Sequence, residues 1–151
     1  MAKFSAEQAA AIAAIQQVNN QWGDELDINS GLKIAEAGVL TDDVQYFVGG
    51  EWRDGIAATA KFYQSRWDTL TNAGGAPVMR HLHTNYRASF LAEDHAKVHF
   101  LLLFVAKVGE PPFVGYCDPL AVANVRMECR RDGTGDWKIS RFDSDQTFIR
   151  G

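Results

Sequence analysis

Residues 79–108 read MRHLHTNYRASFLAEDHAKVHFLLLFVAKV. Met79–Leu91 and Ala96–Val108 flank the turn pair Glu93-Asp94, and their pattern predicts two long strands folded back on each other. Beyond them Val114–Arg131 and Trp137–Ile149 read the same way, joined through Gly109-Glu110-Pro111-Pro112 and Asp132-Gly133-Thr134-Gly135. Sequential strands with such short links pair as an antiparallel meander. They are about twice the usual 5–6 residues, so the sheet must bend or carry bulges.

Upstream of this region the period is helical. Ser5 and Gln8 form a capping box, with Phe4 placed to staple the helix start. Ile12, Ile15, Val18, Trp22 and Leu26 then recur at steps of three and four, an amphipathic stripe. Asn29 or Ser30 caps an expected second, shorter helix carrying Leu32, Ala35 and Val39. Val44–Val48 reads as a strand and Gly49-Gly50 as a turn into Glu51-Trp52-Arg53. Asp54 is the expected cap of a third helix bearing Ile56, Ala60, Tyr63, Trp67 and Leu70, which Asn72–Pro77 ends. Helices first and a long sheet afterwards predict a single α+β domain over residues 1–151, three N-terminal helices packed on one face of a curved antiparallel sheet. Such an arrangement encloses a cone-like interior.

Composition narrows the function. The chain has 151 residues, 46% of them hydrophobic, and a formal net charge of −4. Without a basic excess, neither nucleic acid nor an anionic membrane is an expected partner. The longest apolar run, Phe100–Ala106, is far short of a membrane span, and Met1–Ser5 lacks a secretory pattern. A soluble cytoplasmic protein is the expectation. Cys117 and Cys129 are too few for a disulfide scaffold, and each reads as a small buried hydrophobe.

Within the opening stretch, strand alternation puts His81, His83, Asn85 and Arg87 on one face and Leu82, Thr84, Tyr86 and Ala88 on the other. That polar row either lines a cavity or is the wet side of a half-exposed strand. Two histidines two apart could suggest a metal, but no H-E-x-x-H or further Cys/His cluster supplies a third ligand, so none is expected. Asp24 and Asp27 close the first helix. At about 100° per residue, Asp24 lies roughly opposite Trp22 and Asp27 about 140° from it, so the wheel turns neither inward. His95 sits in a turn and reads as exposed, whereas His99 is either a core histidine or a pocket residue. Trp22, Tyr46, Phe47, Trp52, Phe62 and Trp67 can converge where helices meet sheet, most as core and a few as cavity wall. No G-x-G-x-x-G, P-loop, G-x-S-x-G elbow or Schiff-base lysine context is present, so no organic cofactor is indicated.

From about Ala9 to Phe148 the chain resembles the SnoaL-like group of the NTF2-like (cystatin-like α+β) superfamily, whose relatives include scytalone dehydratase, bile-acid 7α-dehydratase and hexachlorocyclohexane dehydrochlorinase. The resemblance is carried by Leu26-Asp27 leading into Thr41-Asp42-Asp43-Val44, by His81-Leu82-His83-Thr84-Asn85, and by Arg130-Arg131-Asp132-Gly133 before Trp137-Lys138-Ile139. It implies a catalytic dyad of His81 and Asp27 inside the cone, and it selects Asp27 over Asp24. The implied activity is that of a cofactor-independent lyase or isomerase of the dehydratase kind, acting on a hydrophobic, aromatic or polycyclic small molecule. Trp22, Tyr46, Trp52, His83 and His99 are the candidate substrate-binding residues. Trp22 stands where bile-acid dehydratases carry a tyrosine, and an indole donates one hydrogen bond but cannot act as a phenol acid. The alternative is a non-catalytic ligand-binding or assembly module, like the β subunits of aromatic-ring-hydroxylating dioxygenases. Either way, a homodimer or homotrimer through the outer sheet face is expected, with rows such as Leu101, Leu103 and Val105 buried between copies.

Overall fold

The computed structural model describes residues 3–151. Its elements run α1 (Ala6–Asn29), β1 (Leu40–Val48), β2 (Glu51–Asp54), α2 (Ile56–Asn72), β3 (Val78–Ala92), β4 (His95–Lys107), β5 (Ala121–Arg131) and β6 (Trp137–Ile149). The six strands form one sheet in the order β2-β1-β6-β5-β4-β3. The meander of β3 to β6 pairs antiparallel throughout, as its short links predict.

Four expectations change. The sheet is mixed, because β1 runs parallel to β6. Helix α2 carries the chain from β2 at one edge to β3 at the other, and the returning meander brings β6 beside β1 in the same direction. The structure has two helices, not three. Ser30 and Gly31 both take left-handed φ, and the segment from Gly31 to Ala37 closes short turns such as Ile34 N–H to Gly31 O instead of a regular helix. Of the side chains expected there, Leu32 is exposed and Val39 is buried. Asp54 is not a helix cap, because it pairs with Gln45 at the end of β2, and Gly55 (φ 84°) makes the turn into α2. Val114–Leu120 also lies outside the sheet, so β5 begins at Ala121.

Other local readings hold. Ser5 and Gln8 form the reciprocal capping box, and Gly49-Gly50, both at positive φ, join β1 to β2. Phe4, expected to staple the helix start, is 43% exposed and rests edge-on against Phe90 of β3. The core lies between the helices and the inner sheet face, centred on Ile15, Trp22, Leu26, Val44, Tyr46, Val98, Val125 and Phe142. Among the described residues no helix is long and apolar enough to cross a membrane.

Candidate active site

The site is built where the flank of α1 meets edge strand β3. Around the helix axis Asn19, Gly23 and Asp27 follow one another at steps of four, roughly 60–140° round from Trp22. While Trp22 and Leu26 point into the core, this flank runs along β3. Gly23 allows a close approach there: a Cβ on it would stand 3.2 Å from the His83 ring.

Asp27 holds His81 twice. Its Oδ2 accepts the backbone N–H of His81 at 3.2 Å, and its Oδ1 lies 2.7 Å from Nδ1. The N–H is available because β3 is an edge strand, whose outward-facing groups have no neighbouring strand. A carboxylate only accepts, so the imidazole proton sits on Nδ1 and the neutral ring presents a lone pair at Nε2. Both side chains are largely buried, with 7% and 11% exposure. Phe104 stacks on the His81 ring at 4.6 Å and Trp22 meets it edge-on at 5.7 Å.

His83 occupies the next inward position and is held in the opposite tautomer. The Asn19 amide Nδ2 donates to its Nδ1 at 3.0 Å, leaving the ring proton on Nε2. Burial, reinforced by the neighbouring His81, pushes the His83 pKa down to about 4 against the opposing pull of Asp27. Nε2 of His83 and Oδ1 of Asn19 are both buried without a hydrogen-bond partner among the described residues.

Trp22, Tyr46 and Tyr63 form a buried chain. The Trp22 indole N–H donates to the Tyr46 hydroxyl at 2.9 Å, and the two phenol oxygens lie 2.6 Å apart. Tyr63 and His81 line the same small hollow, closed by Leu26, Arg66, Trp67 and Leu70. Only about 10 Å³ of it would take a water.

The other expected residues lie elsewhere. Trp52 is 45% exposed on β2, against Phe47 and under Arg141. His99 is exposed on the outer sheet face with Arg126. The predicted face of β3 breaks after His83: Asn85, at φ 55°, is the extra residue of a bulge between the pairs Thr84–Leu101 and Arg87–His99. The bulge reverses the alternation, so Asn85 and Arg87 turn outward while Tyr86, Ala88 and Phe90 join the inner face. Asp24 is exposed, His95 is half-buried against Glu128 at 2.8 Å, and Cys117 is exposed, not buried like Cys129. Among the described residues no three His, Cys, Asp or Glu side chains group to hold a metal.

Sequence reading did not single out Asn19, Gly23, Tyr63 or Arg66 for the site. The signal for the first two was present as Asn19-x-x-x-Gly23-x-x-x-Asp27, a small-and-polar stripe beside the apolar one. Tyr63 was read only as part of a helical apolar stripe. Nothing local distinguishes Arg66.

Comparison with known proteins locates the fold. No family model matches the chain, and no curated protein does. Solved structures match over nearly its whole length. A scytalone dehydratase candidate from Novosphingobium aromaticivorans is 16% identical, covering 95% of this chain and 89% of that one at a TM-score of 0.75. The hexachlorocyclohexane dehydrochlorinase LinA-type3 from Novosphingobium barchaimii is 18% identical, with 95% and 91% coverage and a TM-score of 0.70. Aln2 from a Streptomyces species is 11% identical, with 96% and 94% coverage and a TM-score of 0.75. The chain has the NTF2-like fold of these proteins.

Proposed function

We propose that the protein is a cofactor-independent lyase or isomerase that removes a proton beside an activated carbon of a hydrophobic, aromatic or polycyclic small molecule. One observation carries this reading: Asp27 fixes His81 so that a basic Nε2 is available where that ring borders an apolar hollow. A neutral imidazole suits proton abstraction near neutrality. The carboxylate stabilises the imidazolium once it forms, more strongly inside apolar walls than in water. Proteins of this fold named for elimination chemistry agree with it.

A ligand larger than one water needs the hollow to open. Helix α2 is the wall suited to this, since only Thr59 and Tyr63 along it are buried and Gly55 gives its N-terminus no side-chain cap. The reading is of a cytoplasmic protein, supported by two unpaired cysteines, one of them exposed.

The test is elimination of 5-nitrobenzisoxazole, a small aromatic surrogate in which a base takes the ring C–H proton, the N–O bond breaks and a coloured cyanophenolate leaves. The expected result is a rate well above that of free imidazole at equal concentration, lost about 10²–10⁴-fold in His81→Gln. A wild-type rate no better than imidazole, or an undiminished variant, overturns the proposal.

A second reading has its own observation. Trp22, Tyr46, Phe100 and Phe142 nearly fill the interior, as a non-catalytic assembly module would allow. Co-purification with a larger Rieske-type oxygenase subunit, with no elimination activity, would support that alternative.

A further inference from the structure

We propose that Arg66 is an anion anchor of the hollow, and that the substrate is an aromatic or polycyclic carboxylic acid whose carboxylate it holds. The substrate assignment rests on the reading of the hollow as the place where His81 acts.

The walls of the hollow are asymmetric. Leu26, Trp67, Leu70 and Met79 make them apolar, and among the described residues Arg66 is the one lining residue with a fixed positive charge. The complement of such a surface is a molecule with an apolar body and a single anionic group. Arg66 stands on α2, yet its Cζ lies 5.8 Å from the centre of the Phe104 ring on β4. The side chain therefore reaches from the helix toward the sheet, not away into solvent. Phe104 also stacks on His81 at 4.6 Å, so guanidinium and imidazole share one aromatic neighbour.

The guanidinium has donors to spare. Arg53, Arg126 and Arg130 are paired with Glu51, Asp143 and Asp43, whereas among the described residues Arg66 has no carboxylate partner. Its neighbours account for this. Three and four positions away on α2 are Phe62, Tyr63, Thr69 and Leu70, none of them acidic. Asp68 on the same helix accepts from Gln64 at 2.9 Å. Toward the interior, Asp27 has one oxygen on the His81 backbone and the other on its ring. Glu25 holds Asn29 and the Lys33 N–H.

The planar fork of a guanidinium matches the two coplanar oxygens of a carboxylate. Arg66 is half-buried, and apolar walls that keep water from one side strengthen such a pairing. Its charge already reaches inward: burial raises the Tyr63 and Tyr46 phenols, and this guanidinium is among the influences that pull them back. An anchored carboxylate would select acids over uncharged analogues and fix the ring so that one C–H is presented to Nε2 of His81. Arg66 itself moves no proton.

Calorimetry tests the anchor without turnover. Wild-type protein should bind 2-naphthoate about 10–100-fold more tightly than uncharged 2-naphthylmethanol. Arg66→Gln should remove that preference, and Arg66→Lys, which keeps the charge but not the fork, should retain part of it. Arg87→Gln, at an exposed cation of the outer sheet face, should leave it intact. Equal binding of the two naphthalenes by wild type, or a preference that survives Arg66→Gln, overturns the proposal. The kinetic arm compares 5-nitrobenzisoxazole with a benzisoxazole carrying a carboxylate on its benzene ring. Arg66→Gln should raise KM for the carboxylate about 10–100-fold and leave that for the nitro compound within about twofold. An equal loss on both substrates overturns the anchor even where His81→Gln still abolishes turnover. A wild-type rate no better than imidazole, with a naphthoate preference that Arg66→Gln removes, overturns the substrate assignment while the anion site stands.

Discussion

Asp27 and His81, 54 positions apart, are joined by two contacts through one carboxylate: Oδ2 to the backbone N–H at 3.2 Å and Oδ1 to the ring Nδ1 at 2.7 Å. The first pins edge strand β3 to the end of α1, and the second fixes the rotation and tautomer of the imidazole. Structural and chemical roles therefore reside in the same side chain, and substitutions can separate them.

Asp27→Asn keeps the size but turns an amide donor toward one of the two N–H groups that the carboxylate accepts. Satisfying the amide moves the ring proton to Nε2 and removes the base. The elimination rate should fall about 10²–10⁴-fold while the melting temperature changes little. Asp27→Ala leaves both N–H groups unpaired and should also lower stability by about 1–3 kcal/mol in urea denaturation. Equal rates for wild type and Asp27→Asn would dismiss the dyad.

His83 should remain neutral well below the usual histidine range. Its folded pKa, near 4, is below the unfolded value near 6.5. The unfolded chain therefore takes up the proton first as pH falls. Stability from this residue is full above about pH 6.5 and declines toward pH 4, by on the order of 3 kcal/mol. Denaturation at several pH values should show a flatter acid limb in His83→Gln, and ¹⁵N spectra should show His83 protonated on Nε2. An ordinary histidine titration would contradict the burial argument.

Gly31 should tolerate no side chain. Its φ is 78°, and a Cβ there would come within 2.5 Å of the Tyr63 ring. Gly31→Ala combines left-handed strain with overpacking and should cost about 2–4 kcal/mol. Gly38→Ala shares the positive φ but meets nothing within 4 Å, and should cost about 1–2 kcal/mol. Equal losses in the two variants would mean that Tyr63 yields freely.

We also propose that copies associate through the outer sheet face. Leu82, Leu103, Val122 and Phe148 are successive register partners across β3, β4, β5 and β6, forming an apolar row over four strands. Leu82 is 52% and Phe148 67% exposed, and Arg126 with Asp143 supplies both charges on the same face. A second copy is the partner such a self-complementary surface fits. Light scattering at micromolar concentration should give a dimer or trimer that Leu103→Asp dissociates. A 16.7 kDa species alone would refute this.

Much of the architecture was legible in residue patterns. The Ser5–Gln8 box, the Gly49-Gly50 turn and the meander strands depend on neighbours a few positions away, and such signals survive folding unchanged. Reading failed where a local rule met a distant competitor. Alternation through Asn85 was broken by a bulge that only the β4 register reveals. Asp54 looked like a helix cap until β1 claimed it as a strand partner. Trp52 and His99 had suitable chemistry, but the strand faces carrying them point away from the hollow.

The order of helices and strands, the meander and the shared face of His81 and His83 follow from periodicity, because side-chain direction repeats along a helix or strand whatever lies beyond it; that this face turns inward does not. The parallel β1–β6 pairing and the use of the α1 flank as a working surface do not. They depend on which edge strand comes to lie beside that helix, and this is fixed by packing among segments far apart in the chain. Asp27 is thus turned off the apolar stripe by its own helix and brought to His81 by the placement of β3.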